Sequence, residues 1–183
     1  KNQFKSYVYD PQDPQSISAN AVYGIYEDSK GRLWIGTMGG GLNLFDQENE
    51  TFTHYDEQNG LVNNVVYIAL EDKKGNLWLS TNWGICKFDP QIEEFVNYGI
   101  SDGLQGNEFN GGSWFQADDG ELFFGGMDGF NSFYPENITE NTIPPRIVIT
   151  DFKKFNRSMN RELLDGFAHG SGSNFARLPK TSA

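Results

Sequence analysis

Glu27-Asp28 and Glu71-Asp72 set two carboxylates side by side, twice, at a separation of 44 residues. Adjacent acids of this kind could hold a calcium ion or divide general acid and base duties between them. Each pair, however, opens a D-x-x-G unit, Asp28 to Gly31 and Asp72 to Gly75. Asp closes such a turn through its own side chain, and Gly accepts the unusual backbone angle, so turn chemistry is the preferred account of both pairs. Other reactive types are sparse. His54 and His169 stand alone, so no clustered zinc site follows. Cys86, the one cysteine, lies in a strand with no histidine near it in sequence and reads as a small buried hydrophobe. No nucleophile has a base and an orienting acid beside it. The expectation is a chain without catalytic residues, metal or cofactor.

A different chemistry is open to Asn82, Trp83, Asn107, Glu108, Asn110 and Trp114. Amides and carboxylates hydrogen-bond hydroxyl groups, and aromatic faces cover the C–H surfaces of sugar rings, so these six are the candidate ligand-binding residues. Structural duties compete for some of them. Trp83 occupies a loop position where a related segment has glycine, so a structural duty is less forced there. Trp114 falls where a first strand is expected, which favours the core, and Asn107 and Asn110 are also suited to capping turns.

The elements that position these side chains are legible because the chain repeats itself. The stretch Asn20 to Tyr55 returns as Asn64 to Tyr98: Glu27, Asp28, Gly31, Leu33 and Trp34 recur as Glu71, Asp72, Gly75, Leu77 and Trp78. Past the turn the separation is 43, with Phe45, Asp46, Phe52 and Tyr55 returning as Phe88, Asp89, Phe95 and Tyr98. One residue is missing from the second copy, at the glycine run after Met38. A weaker third copy places Gly120, Leu122, Phe123, Gly129 and Phe133 where the second has Gly75, Leu77, Trp78, Gly84 and Phe88. Within the second copy, Val65–Asp72 is an apolar, β-branched run, Asn76–Thr81 alternates, Ile85–Asp89 follows the Asn82-Trp83-Gly84 break, and Glu94–Tyr98 is a fourth short run after Pro90. Four antiparallel strands in a period of about 40–45 residues define one β-propeller blade. The expected fold is therefore all-β, a partial β-propeller of about three four-stranded antiparallel blades. A β-sandwich, the other arrangement of such strands, does not require the same turn chemistry in every period. Trp34 and Trp78, recurring at one strand position, are expected to pack between blades.

In such a blade the loop from the second strand to the third opens on the same rim as the loop into the next blade. That rim collects 38–41, 59–63, 82–83, 102–109 and 127–128, where the amides, an acid and an indole lie.

Composition narrows the function. The 183 residues are 37% hydrophobic and 15% aromatic, with a formal net charge of −11. That charge argues against nucleic acid and against contact with an anionic membrane, both of which select for Lys and Arg. No apolar run reaches the roughly 18 residues of a transmembrane helix. Phe4 and Tyr7 have the F-x-x-Y spacing of Phe52 and Tyr55, so the chain reads as an excised piece that opens inside the last strand of a preceding blade.

The pattern N-x-V-x-x-I-x-E-D-x-x-G-x-L-W-[IL]-[GS]-T-x-x-G-[LI], then F-D, F-x-x-Y and G-L, resembles the regulator-propeller repeat in the periplasmic region of hybrid two-component sensors. The likeness is close over 20–61 and 64–104 and looser over 107–134. Pro144 to Phe152 resembles the opening strand of the immunoglobulin-like (triple-tyrosine type) domain that follows such propellers. The domain reading is 1–17 as the end of a preceding blade and linker, 18–58, 59–101 and 102–135 as three blades, 136–157 as linker and first immunoglobulin-like strand, and 158–183 as a tail. The resemblance implies an extracytoplasmic, periplasmic segment of an inner-membrane protein that detects an oligosaccharide and regulates polysaccharide utilisation. The histidine kinase and other signalling modules lie elsewhere in such proteins, so this piece is expected to be non-catalytic. A fragment of a carbohydrate-active enzyme and a structural or protein-binding propeller remain the alternatives. Because propellers have about four blades or more, the expected partners are the remaining blades of the parent protein, and the isolated piece is expected to self-associate through its uncovered faces.

Overall fold

The computed structural model describes residues 4–139 and, as backbone, Lys153–Lys154 and Arg157–Ser158. The chain divides into two units, 1–139 and 140–183. In the first unit, β1 (Val22–Glu27), β2 (Leu33–Thr37), β3 (Leu42–Asp46) and β4 (Thr51–Tyr55) form one sheet in chain order. β5 (Val66–Glu71), β6 (Leu77–Thr81), β7 (Gly84–Asp89) and β8 (Glu94–Tyr98) form a second sheet with the same order. β9 (Phe109–Gln116), β10 (Leu122–Gly126) and β11 (Gly129–Phe133) form a third. All the pairings are antiparallel, as a partial propeller requires. The third sheet has three strands among the described residues, one fewer than its predecessors. In the second unit, β12 (Lys153–Lys154) pairs with β13 (Arg157–Ser158). The expected immunoglobulin-like strand from Pro144 to Phe152, the rest of the tail and His169 lie outside the described residues.

The D-x-x-G turns show what the repeated acids do. Asp28 accepts the backbone N–H groups of Lys30 and Arg32, each at 2.9 Å, and its other oxygen accepts Arg32 Nε at 2.6 Å and the Trp34 indole N–H at 2.8 Å. Asp72 repeats this with the N–H groups of Lys74 and Asn76, the Asn76 amide, and Trp78 Nε1 at 3.0 Å. Gly31 and Gly75 close the turns at φ 76° and 86°, where a side chain is disfavoured. Burial alone would raise the Asp28 and Asp72 carboxyls. The donors converging on them, the tryptophan indoles among them, hold both below the ordinary value instead. In the third sheet Ala117 takes the aspartate's place, exchanging backbone hydrogen bonds with Glu121 and Gly120 as Asp72 does with Asn76 and Gly75. That copy carries Phe123 in place of tryptophan. The aspartate is present where an indole N–H must be satisfied and gone where the ring has no donor.

Packing between sheets uses equivalent positions. Blade 1 offers Tyr26, Trp34 and Leu42 to Val66, Ala69, Leu79 and Cys86 of blade 2. Blade 2 offers Leu70, Trp78 and Ile85 to Phe109, Leu122 and Phe124 of blade 3. Blade 2 is therefore apolar on both faces, which explains why β5 and β6 are buried along their whole length while β1 is largely exposed. Gly24 permits the close approach of blades 1 and 2, since a Cβ there would lie 2.5 Å from the Tyr67 carbonyl oxygen. Polar links cross the same boundaries. Glu71 accepts the Ser29 N–H at 2.7 Å and the Ser29 hydroxyl at 2.9 Å, and Gln116 Nε2 donates to the Glu71 carbonyl at 2.8 Å. Ahead of blade 1, Tyr7 lies edge-on to Phe45 and Phe52 at 4.8 and 5.7 Å between ring centres, and Ile17 packs with Ile35 and Phe52.

Candidate functional site

β1, β5 and β9 are the neighbouring first strands of the three blades, and each carries a bulge near its start. In β1 the pairs Val22–Thr37 and Gly24–Gly36 leave Tyr23 unmatched, and in β5 the pairs Val66–Thr81 and Ile68–Ser80 leave Tyr67 unmatched. β9 exaggerates the device. Phe109 pairs with Gly126 and Trp114 with Phe124, so Asn110, Gly111, Gly112 and Ser113 together oppose Gly125. Such an excess re-aims side chains out of the regular pleat, and Gly112 supports it with φ 79°. The Tyr23 and Tyr67 rings meet edge to face at 4.9 Å, and Gly111 sits beside both.

The six candidates gather unequally around this point. The Tyr67 hydroxyl donates to Asn82 Oδ1 at 3.0 Å, while the Asn82 N–H donates to the Val65 carbonyl. Burial raises the Tyr67 hydroxyl above the usual phenol range, with smaller contributions from Tyr23 and from the Glu108 carboxylate. Glu108 is exposed, and its carbonyl accepts the Met127 N–H. Asn110, half-buried, stands in the β9 bulge at the position of Tyr23 and Tyr67. Trp83 is 58% exposed, its backbone N–H held by Thr81 Oγ1 at 3.0 Å. The Asn107 carbonyl accepts the Gly84 N–H at 2.6 Å, and Asn64, its counterpart one blade earlier, accepts from Gly39 and Gly41. This shared backbone duty makes Asn107 a fastener between consecutive loops. Trp114 is on a first strand, as its position suggests, but it is 42% exposed and belongs to neither buried cluster. The structure thus bonds Asn82 to Tyr67, sets Asn110 at the equivalent bulge of the next blade, and puts Trp83, Asn107 and Glu108 on the adjoining loops.

Tyr23 and Tyr67 are functional-site candidates that reasoning from sequence missed. Their signal was the repeated N-x-V-Y of Asn20 to Tyr23 and Asn64 to Tyr67, read as strand when its last residue is in fact the bulge. The remaining reactive types have structural roles. Cys86 is fully buried, and burial pushes its thiol up to about 12, so it is a protonated core residue at neutral pH. His54 Nε2 lies 2.7 Å from the Ser16 carbonyl. Among the described residues no three His, Cys, Asp or Glu side chains converge on a metal-sized site, and no helix is long and apolar enough to cross a membrane.

Sheets in chain order, stacked face to face with their first strands adjacent, define a run of β-propeller blades. Residues 16–39 and 60–83 match the two-component regulator propeller family, and the first two blades are repeats of this kind. The chain is 36% identical to histidine kinase P4 of Formosa agariphila over 85% of its own length, which amounts to 15% of that protein. It is similar to the extracellular domain of a hybrid two-component system of B. thetaiotaomicron, with 26% identity and a TM-score of 0.61 over 73% of this chain and 19% of that one. A second structure from that organism, the extracellular domain of a system described as one-component, matches at 28% identity and a TM-score of 0.57 over 68% of this chain and 18% of that one. The chain therefore spans less than a fifth of each of these relatives.

Proposed function

We propose that this chain is part of the extracytoplasmic sensor region of a hybrid two-component protein, facing the periplasm, and that its rim contacts an oligosaccharide whose presence regulates polysaccharide utilisation. The observation that carries the reading is the hydrogen bond of Tyr67 to Asn82, whose chain neighbour Trp83 is exposed, with Asn110 at the equivalent bulge of the next blade, on a propeller of the two-component regulator type. Hydroxyl, amide and carboxylate groups suit sugar hydroxyls, and an exposed indole suits a sugar face. This rim is where the blades differ, with tyrosine at two bulges and asparagine at the third. In this reading the segment has no catalytic step of its own, and kinase activity belongs to other parts of the parent protein.

Titration calorimetry of the parent's whole extracytoplasmic region against a panel of plant and host oligosaccharides tests the proposal. At least one should bind, and Trp83→Ala should weaken it by about tenfold, or ~1.4 kcal/mol. If the whole panel fails to bind, sugar sensing is wrong; if a sugar binds with Trp83→Ala indistinguishable from the parent, the site is elsewhere.

A further inference from the structure

The β2–β3, β6–β7 and β10–β11 loops open on one rim and begin alike. Their first residues, Met38, Asn82 and Met127, donate N–H groups to the carbonyls of Ala21, Val65 and Glu108, each the residue just before its blade's first strand. The next residue differs in every blade: Gly39, Trp83 and Asp128. Its N–H is nevertheless held in all three, each time by a different acceptor: the Asn64 carbonyl at 2.9 Å, Thr81 Oγ1 at 3.0 Å and Gln105 Oε1 at 2.8 Å. Blade 3 has no threonine for this duty, because Gly126 pairs with Gly129 where Thr81 pairs with Gly84. A Cβ at Gly126 would collide with the Gln105 amide, so loss of the side chain admits the group that replaces its hydroxyl. Gln105 is fixed in turn by its own N–H, which donates to Asn131 Oδ1 at 2.9 Å. Unrelated partners thus pin the backbone of one rim position, while its side chain is left free to vary.

We propose that this position presents one specificity-determining side chain per blade to the ligand, and that Asp128 is the contact made by blade 3. The inference rests on the reading of this rim as an oligosaccharide site. Trp83 is 58% exposed although blade 2 is packed on both faces. Exposure at this position therefore belongs to the rim and does not depend on which blades adjoin. Asp128 is exposed too. Its Oδ2 faces Gly106, where a Cβ would come within 3.1 Å, and among the described residues nothing donates to the carboxylate.

A carboxylate on a pinned loop accepts hydroxyl groups through both oxygens and repels an anion. Because the loop is already ordered, little freedom is lost when it binds. The ligand class that suits the pair is a neutral oligosaccharide, with a ring face on Trp83 and hydroxyls of another sugar unit on Asp128. Sulfated and uronate chains are disfavoured at the blade 3 end.

Calorimetry of the parent's whole extracytoplasmic region is the test, using neutral oligosaccharides and their counterparts oxidised at C6 to uronates. A neutral chain should bind at least about tenfold more tightly than its uronate. Asp128→Ala should weaken the neutral chain about tenfold with Tm unchanged, and Asp128→Asn should narrow the preference over the uronate at least about threefold. The proposal is overturned if only acidic chains bind, or if both variants match the unsubstituted protein in affinity and preference. In the second case a sugar still weakened by Trp83→Ala leaves the sensing reading standing. If no sugar binds, both readings fall.

Discussion

In blade 2, Leu70, Trp78 and Ile85 are at most 2% exposed, whereas Phe115 and Phe130 at the first and last of these positions in blade 3 are 61% and 67% exposed. The strands are alike and the side chains of blade 3 are, if anything, more aromatic. Burial here is a property of the stack, conferred by the next blade rather than by the sheet that carries the residue. The same contrast runs through the turns: Asp72 serves Trp78, and the third copy has dispensed with both.

Truncation tests the first half of this contrast and should have the largest effect. Leu79→Ala, at a fully buried position between blades 1 and 2, should lower stability by about 2–5 kcal/mol. Phe130→Ala in the monomer should change it by no more than ~0.5 kcal/mol. Comparable shifts of the urea midpoint for the two variants would break the comparison. The turns come next. Asp72→Ala should destabilise by about 1–3 kcal/mol, because it leaves the buried Trp78 N–H unsatisfied. Placed on Trp78→Phe, the same change should lose much of its effect, reproducing the Ala117–Phe123 pair of blade 3; a double-mutant cycle with no coupling would sever aspartate from indole. The smallest effect is with acid. Asp28 and Asp72 are held below their ordinary value of 3.8 in the folded chain, so their contribution is complete above that pH and is lost as the pH falls below it toward their folded values. Asp72→Asn should flatten the acid limb of the stability curve, measured by denaturation at a series of pH values.

What could be read from sequence was whatever the copies share. Two tryptophans at one register position in an apolar strand have few uses besides packing, and two acids before x-x-Gly have few besides turns; Trp34, Trp78, Asp28 and Asp72 all behave so. Cys86 was legible for a similar reason, lying among the apolar residues of a central strand. The bulges were not. A period-2 pattern cannot show an extra residue when the excess is Gly111-Gly112, which carries no polarity to betray the phase, and Tyr67 looks like one more β-former until pairing shows that it has no partner. Trp114 also misled: its place on an expected first strand favoured the core, yet it is 42% exposed. The bond between Asp72 and Trp78 was hidden in another way, since six residues separate them in sequence and only the turn brings the indole over the carboxylate.

Glu71 reaches back to Ser29, and Gln116 reaches back to Glu71; each link points toward the preceding blade. The stack is thus a polar object with a head and a tail that are not interchangeable. A gene lineage can lengthen or shorten it only in whole periods that keep every reaching side chain next to its receiving turn. A splice point placed between Ser29 and Glu71 would part the residue that reaches from the turn that receives it.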